Sequence, residues 1–180
     1  VGRIYASTLG DEVEIVNKYL WKDIGRRQYW MNAGDPALVY IDDDWVGMTN
    51  EVNQSLSTLY RTIVVNDTLA TNASDYMQRL QSNSYSWVHI QCHGYAGGHC
   101  FKLGNDQWDG WVFSQDYTSN GLNPHVSFFN FFVCSNARYV EPDYLAGSAV
   151  FNSDQGLLAV GSTKTGSMLS FGDFYPKLSQ

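Results

Sequence analysis

The sequence predicts an α/β domain with a mainly parallel sheet flanked by helices. Short β-prone runs alternate with segments of helical periodicity along the chain. Alternation of this kind favours right-handed β-α-β crossovers. The run Ala37-Leu38-Val39-Tyr40-Ile41 is continuously apolar, as suits a strand buried on both faces. With 180 residues, 44% of them hydrophobic, the chain is long enough for a single domain with its own core over residues 1–180.

The elements follow in order. Arg3 to Ala6 reads as a short strand. Thr8-Leu9-Gly10-Asp11 resembles a capping box, after which Val13, Val16, Leu20 and Ile24 recur at helical spacing to about Trp30. The Ala37–Ile41 strand stops at Asp42-Asp43-Asp44, and a weaker helix spans Glu51 to Leu59. Thr62–Val65 is the next strand, and Asn72 caps a helix reaching Leu80. Trp87–Cys92 is a strand that runs straight into His93-Gly94. The Gly-, Asn- and Asp-rich stretch from Tyr95 to Pro124 reads as loops with a hairpin around Phe101 and Val112. Val126–Val133 is a β-prone apolar strand ending at Cys134. Pro142–Phe151 reads as a helix and Gly156–Gly161 as a last strand, followed by a polar Ser162–Gly166 loop.

Composition narrows the function. A net charge of −7 argues against nucleic acid, because no basic excess is available to neutralise phosphates. No apolar run reaches the length of a membrane span. Three cysteines cannot all pair within the chain, so a disulfide scaffold is not expected. Val1-Gly2-Arg3-Ile4 starts inside a strand-like segment, which suggests a piece of a longer precursor.

Ligands of open α/β sheets collect outside the carboxyl ends of the strands. Three such ends carry reactive groups here, at Asp42-Asp43-Asp44, His93-Gly94 and Cys134-Ser135-Asn136. Parallel strands bring all three to one edge. A thiol and an imidazole there suit nucleophilic catalysis, because the imidazole promotes the thiolate and protonates the leaving group. Gly94, lacking a side chain, lets its N–H approach a substrate carbonyl. Each residue also has a plain reading. A cysteine after an apolar strand fits packing, His93 fits a satisfied structural histidine, and the three aspartates fit a solvated turn.

A strand ending in His-Gly, followed 41 residues later by a strand ending in Cys, resembles the caspase–hemoglobinase clan of cysteine peptidases. The likeness is greater to the gingipain type. Val1–Ile4 with Asn17-Lys18-Tyr19, Ala37–Asp44 and Gly156–Thr163 resemble that family's segments in order. The resemblance implies a three-layer sandwich. It also implies Cys134 as nucleophile, His93 as general acid/base, and the N–H groups of Gly94 and Cys134 as oxyanion donors. Asp44 lies where the family has an acidic residue orienting the histidine, and Glu51 is the nearest candidate for binding a basic side chain before the scissile bond. Two departures stand out. Val133 replaces a usually small residue, and Arg138 sits close to the site, where it either favours the thiolate or shifts specificity toward acidic groups. The implied enzyme is an extracellular or cell-envelope zymogen that cleaves protein or peptide substrates after Arg or Lys, with a prosegment or attached domains in its precursor. It requires no cofactor.

Two other classes compete. Cys92-His93 and His99-Cys100 are zinc-type ligands, although adjacent residues on a strand point to opposite faces. Structural calcium fits the Asp-rich loops. A non-catalytic binding or scaffold domain with the same fold is the remaining alternative.

Overall fold

Ala37–Ile41 forms β1, and all five residues are buried, as their unbroken apolar character requires. The computed structural model describes residues 4–29, 34–104 and 107–166. After helix α1 (Glu12–Tyr29) and β1 come a 3-10 turn (Asp43–Met48), α2 (Thr49–Ser57), β2 (Thr62–Val65) and α3 (Ala73–Ser82). Then follow β3 (Ser84–Gln91), β4 (His93–Tyr95), β5 (Gly98–Leu103) and β6 (Gln107–Phe113). A 3-10 turn (Ser114–Tyr117) precedes β7 (His125–Phe132). The short α4 (Leu145–Gly147) runs on as a π-helical turn over Ser148–Asn152 before β8 (Leu158–Gly161).

The main sheet has five strands in the order β2-β1-β3-β7-β8, and every pairing is parallel. This is an α/β fold. The chain steps outward from β1 to β2 and then returns to the other side of β1 with β3. That reversal opens a crevice at the carboxyl ends of β1 and β3. The strands β4-β5-β6 form a separate antiparallel sheet over the same edge.

On one face of the main sheet Tyr40, Ile90 and Phe131 pack with Tyr76 and Leu80 of α3 and Phe101 of β5. On the other, Val39, Ile41 and Phe132 pack with Trp45 and with Val52 and Leu56 of α2. Fully burying one such side chain is worth about 1.5–3 kcal/mol, so the two faces anchor the strand ends firmly. Asn72 caps α3 as expected, its side chain accepting from the Asp75 N–H at 2.8 Å.

Several expectations are corrected. Ile4–Ala6 forms no strand, and Arg3, Val1 and Gly2 lie outside the described residues, as does Trp30. The cap of α1 is Asp11, whose Oδ1 accepts from the amides of Val13 (3.0 Å) and Glu14 (3.1 Å). Thr8 instead donates to the Tyr139 carbonyl at 3.1 Å. The stripe Val13, Leu20, Ile24 is the exposed side of α1; Ile15, Val16 and Tyr19 make its packed side, against Val150 and Phe151. Helical spacing identified the helix but not which face had a partner. The last helix begins at Leu145 rather than Pro142, because Asp143 has a positive φ of 55° that no right-handed helix accommodates.

Candidate active site

The pairing of β3 with β7 ends at Gln91 opposite Phe132, and the Cys92 amide still reaches the Phe132 carbonyl at 3.4 Å. His93 and Cys134 are each two residues beyond that last pair. The register of two adjacent parallel strands therefore delivers the imidazole and the thiol to the same level of the sheet edge. Ile41 of β1 pairs with Gln91 as well, so the aspartates emerge at that level on the other side of β3.

Asp44 meets His93 directly, with Oδ2 lying 2.6 Å from Nε2. The same oxygen is 2.9 Å from the Lys102 ammonium. Burial pushes the Asp44 carboxyl up, but the hydrogen bonds from His93 and Lys102 outweigh it and hold it below its ordinary value. The His93 ring is further fixed by Trp45, with centroids 4.6 Å apart, and by the edge contact with Trp108 at 5.0 Å. Nε2 is thus committed to the carboxylate, which makes Nδ1 the ring nitrogen turned away from Asp44.

The three aspartates do different things. Asp42 is fully buried, and its Oδ2 accepts from the Lys102 amide at 2.9 Å, tying β5 to the end of β1. Burial pushes its carboxyl up to about 6. Asp43 accepts from the Thr71 hydroxyl at 3.5 Å. Glu51 is exposed in the first turn of α2, and it does not line the cleft beside Cys134.

Cys134 is partly exposed, whereas Cys92 and Cys100 are buried. Burial pushes the Cys92 thiol well up and the Cys100 thiol to about 11, so neither is set to ionise. The loop after Cys134 is fastened on both sides. Ser135, at φ 58°, donates its amide to the Lys164 carbonyl (3.0 Å), and the Ala137 amide reaches Ser162 (3.0 Å). Across the site the buried Asn136 donates its side-chain amide to the carbonyls of Tyr95 and Gly98. The Gly166 N–H approaches the Cys134 sulfur at 3.4 Å.

Gly94 is required by packing. A Cβ there would collide with the Gly98 carbonyl and come within 2.6 Å of Val133 Cγ1. Val133, the bulky residue before the thiol, therefore uses the space that Gly94 leaves. Arg138 is paired with Glu141 (3.2 Å). Both line an open cleft of about 650 Å³ with Ser135, Tyr95 and Phe113.

Cys92, His93, His99 and Cys100 do not converge. His99 is buried against the Tyr117 hydroxyl at 2.9 Å, while His93 faces Asp44. Among the described residues no group of three or more His, Cys, Asp or Glu is arranged to hold a metal ion. No helix among them is long and apolar enough to cross a membrane. Lys102, Trp45 and Trp108 are site residues that sequence reasoning missed, and Asn136 was flagged only as part of a strand end. Trp45 follows the flagged Asp44 in the 3-10 turn; Lys102 and Trp108 carry no local signal, because they come from a sheet that folds back over the edge.

No known family model matches the chain, and no curated protein does so either.

Proposed function

We propose that this chain is the catalytic domain of a cysteine endopeptidase of the gingipain type, with the three-layer fold of the caspase–hemoglobinase clan. One observation carries the reading: an Asp44–His93 pair at 2.6 Å stands at the sheet edge where the chain, two residues past β7, reaches the partly exposed Cys134. The Cys134 thiolate attacks the substrate carbonyl carbon, and the N–H groups of Gly94 and Cys134 receive the oxyanion. His93 passes a proton to the leaving amine as the C–N bond breaks, leaving a thioester. It then takes a proton from water, which attacks the thioester, releasing the acid and restoring the thiol. Asp44 keeps the ring oriented and stabilises its cationic form.

The partner is a protein or peptide cleaved after Arg or Lys. Of the acidic candidates, Asp42, Asp43 and Asp44 are each engaged within the fold, so Glu51, exposed in the first turn of α2 and outside the cleft beside Cys134, is the carboxylate proposed for the basic side chain. The chemistry needs no cofactor, and structural calcium at the Asp-rich loops is separate from it. An extracellular or cell-envelope zymogen with a prosegment or attached domains fits the resemblance.

The test is labelling by a peptidyl electrophile carrying Arg before the reactive group, followed by peptide mapping. Adduct on Cys134 alone, absent in Cys134→Ala and slow in His93→Ala, is expected. Adduct on Cys100, or none on native protein, would overturn the assignment in favour of a non-catalytic domain.

A further inference from the structure

The outer face of the small sheet carries a row of aromatic side chains that starts at the catalytic imidazole. In the antiparallel register His93 pairs with Cys100 and Cys100 with Trp111, while Tyr95 pairs with Gly98 and Gly98 with Phe113. Directly paired residues share a face, so His93, Tyr95, Trp111 and Phe113 point the same way. The alternate residues His99 and Val112 turn inward and are fully buried.

This face has the shape of a platform. Tyr95, Trp111 and Phe113 are 48%, 44% and 37% exposed. Tyr95 meets Trp111 edge-on at 5.5 Å, and Trp111 lies parallel to Phe113 at 6.1 Å. Gly98 leaves a notch between the rings: a Cβ there would be 3.3 Å from both Tyr95 and Phe113. Three adjoining exposed rings are an unusual expense of apolar surface on a chain of this charge, and such patches mark binding surfaces. The row ends in the cleft that Tyr95 and Phe113 share with Ser135, next to Cys134.

Resting on the peptidase reading, we propose that this platform is the subsite for the leaving-group half of the peptide, and that it takes an aromatic or long apolar side chain just after the scissile bond. His93 must reach the departing amine, so the half of the substrate that leaves lies on the imidazole's side. From His93 to Tyr95 the strand advances roughly 6.6 Å, one residue pair of an extended peptide. The first or second side chain beyond the bond therefore falls on the rings. Offset stacking and area burial favour an aromatic group there. At the cleft Glu141 offsets Arg138, and Asp143 then disfavours an acidic one.

The experiment uses internally quenched peptides with Arg before the bond and Phe, Leu, Gly or Asp after it. Phe and Leu peptides should exceed the Gly peptide in kcat/KM by about tenfold, with Asp the poorest. In Trp111→Ala, and separately in Tyr95→Ala, the Phe-to-Gly ratio should collapse toward one, while Trp111→Phe retains it. Titrating the same peptides into Cys134→Ala, followed by tryptophan fluorescence, should show the Phe peptide binding about tenfold more tightly than the Gly peptide. Cleavage without preference between Phe and Gly, or a ratio unmoved in both Ala variants, overturns the subsite and leaves the peptidase standing. Trp111-dependent binding of the Phe peptide with no cleavage of any peptide supports the subsite and removes the dyad. Neither cleavage nor binding overturns both.

Discussion

Asp44 and His93 come from different strand ends 49 residues apart, yet their side chains meet at 2.6 Å. Asp44 is also gripped by Lys102, whose ammonium lies 5.4 Å over the ring of Trp108. The imidazole thus has a carboxylate at one nitrogen, the tilted Trp45 ring beside it and the Trp108 ring in edge contact. These contacts restrict rotation, so the other nitrogen is held in one direction.

The pair predicts a graded mutational response. His93→Ala should lower kcat by about 10²-fold or more, as loss of a general acid/base does. Asp44→Asn should lower kcat by a smaller factor with KM little changed, because the ring remains but loses its orientation. His89→Ala should cost stability rather than catalysis, since His89 is buried beside Asn130 at 3.1 Å, within the sheet. Steady-state kinetics with thermal melts on the three variants decides it; full activity in His93→Ala would sink the assignment.

Thiol reactivity should separate the cysteines. Iodoacetamide should modify Cys134 faster than Cys92 or Cys100, because those two are buried and their thiols are pushed up by burial. Mass spectrometry of peptides along a time course reads the order. Cys134→Ala should melt close to the native protein while losing all turnover.

Gly94→Ala should destabilise by about 1–3 kcal/mol, the usual range for forcing extra atoms into a packed site. The added methyl meets Val133 Cγ1 at 2.6 Å and the Gly98 carbonyl. Val133→Ala relieves only the side-chain half of that clash, so the double variant should recover part of the loss. Urea unfolding of the two single variants and the double variant gives the coupling; strict additivity would refute the contact.

Acid should unfold the protein from about pH 6.5 downward. Burial lowers His89 and His99 to about 3, so below 6.5 the unfolded chain takes up protons that the folded chain refuses, and stability falls with pH. Asp42 acts the other way. Its raised carboxyl, at about 6, binds a proton in the folded state before the unfolded one does, so its share of stability rises as pH drops from about 6 to 4. Two imidazoles against one carboxylate leave a net slope of about one proton, so stability falls with pH over this interval. Asp42→Asn should steepen that slope toward two protons and raise stability at pH 7. Urea midpoints between pH 7 and 4.5 measure both; stability that stays flat over the interval contradicts the assignment.

The local sequence by itself determined the strands that end in chemistry. Ala37–Ile41 is continuously apolar and fully buried, and Val126–Val133, apolar but for Ser127 and Asn130, is β-prone enough to read as a strand from its residues alone. Asn72 before a helical run needed only local hydrogen bonding to become a cap. Tertiary structure decided the rest, because it depends on what each surface meets. Helical spacing marked α1, but the partner Phe151 chose Ile15 and Tyr19 over Val13 and Leu20. Three consecutive aspartates looked alike, yet the fold buried Asp42 under the Lys102 amide and turned Asp44 onto His93. The aromatic row from Tyr95 to Phe113 exists only because antiparallel register brings separate strands side by side. Side-chain character is local, whereas register, burial and the pairing of charges are set by segments far apart in the chain.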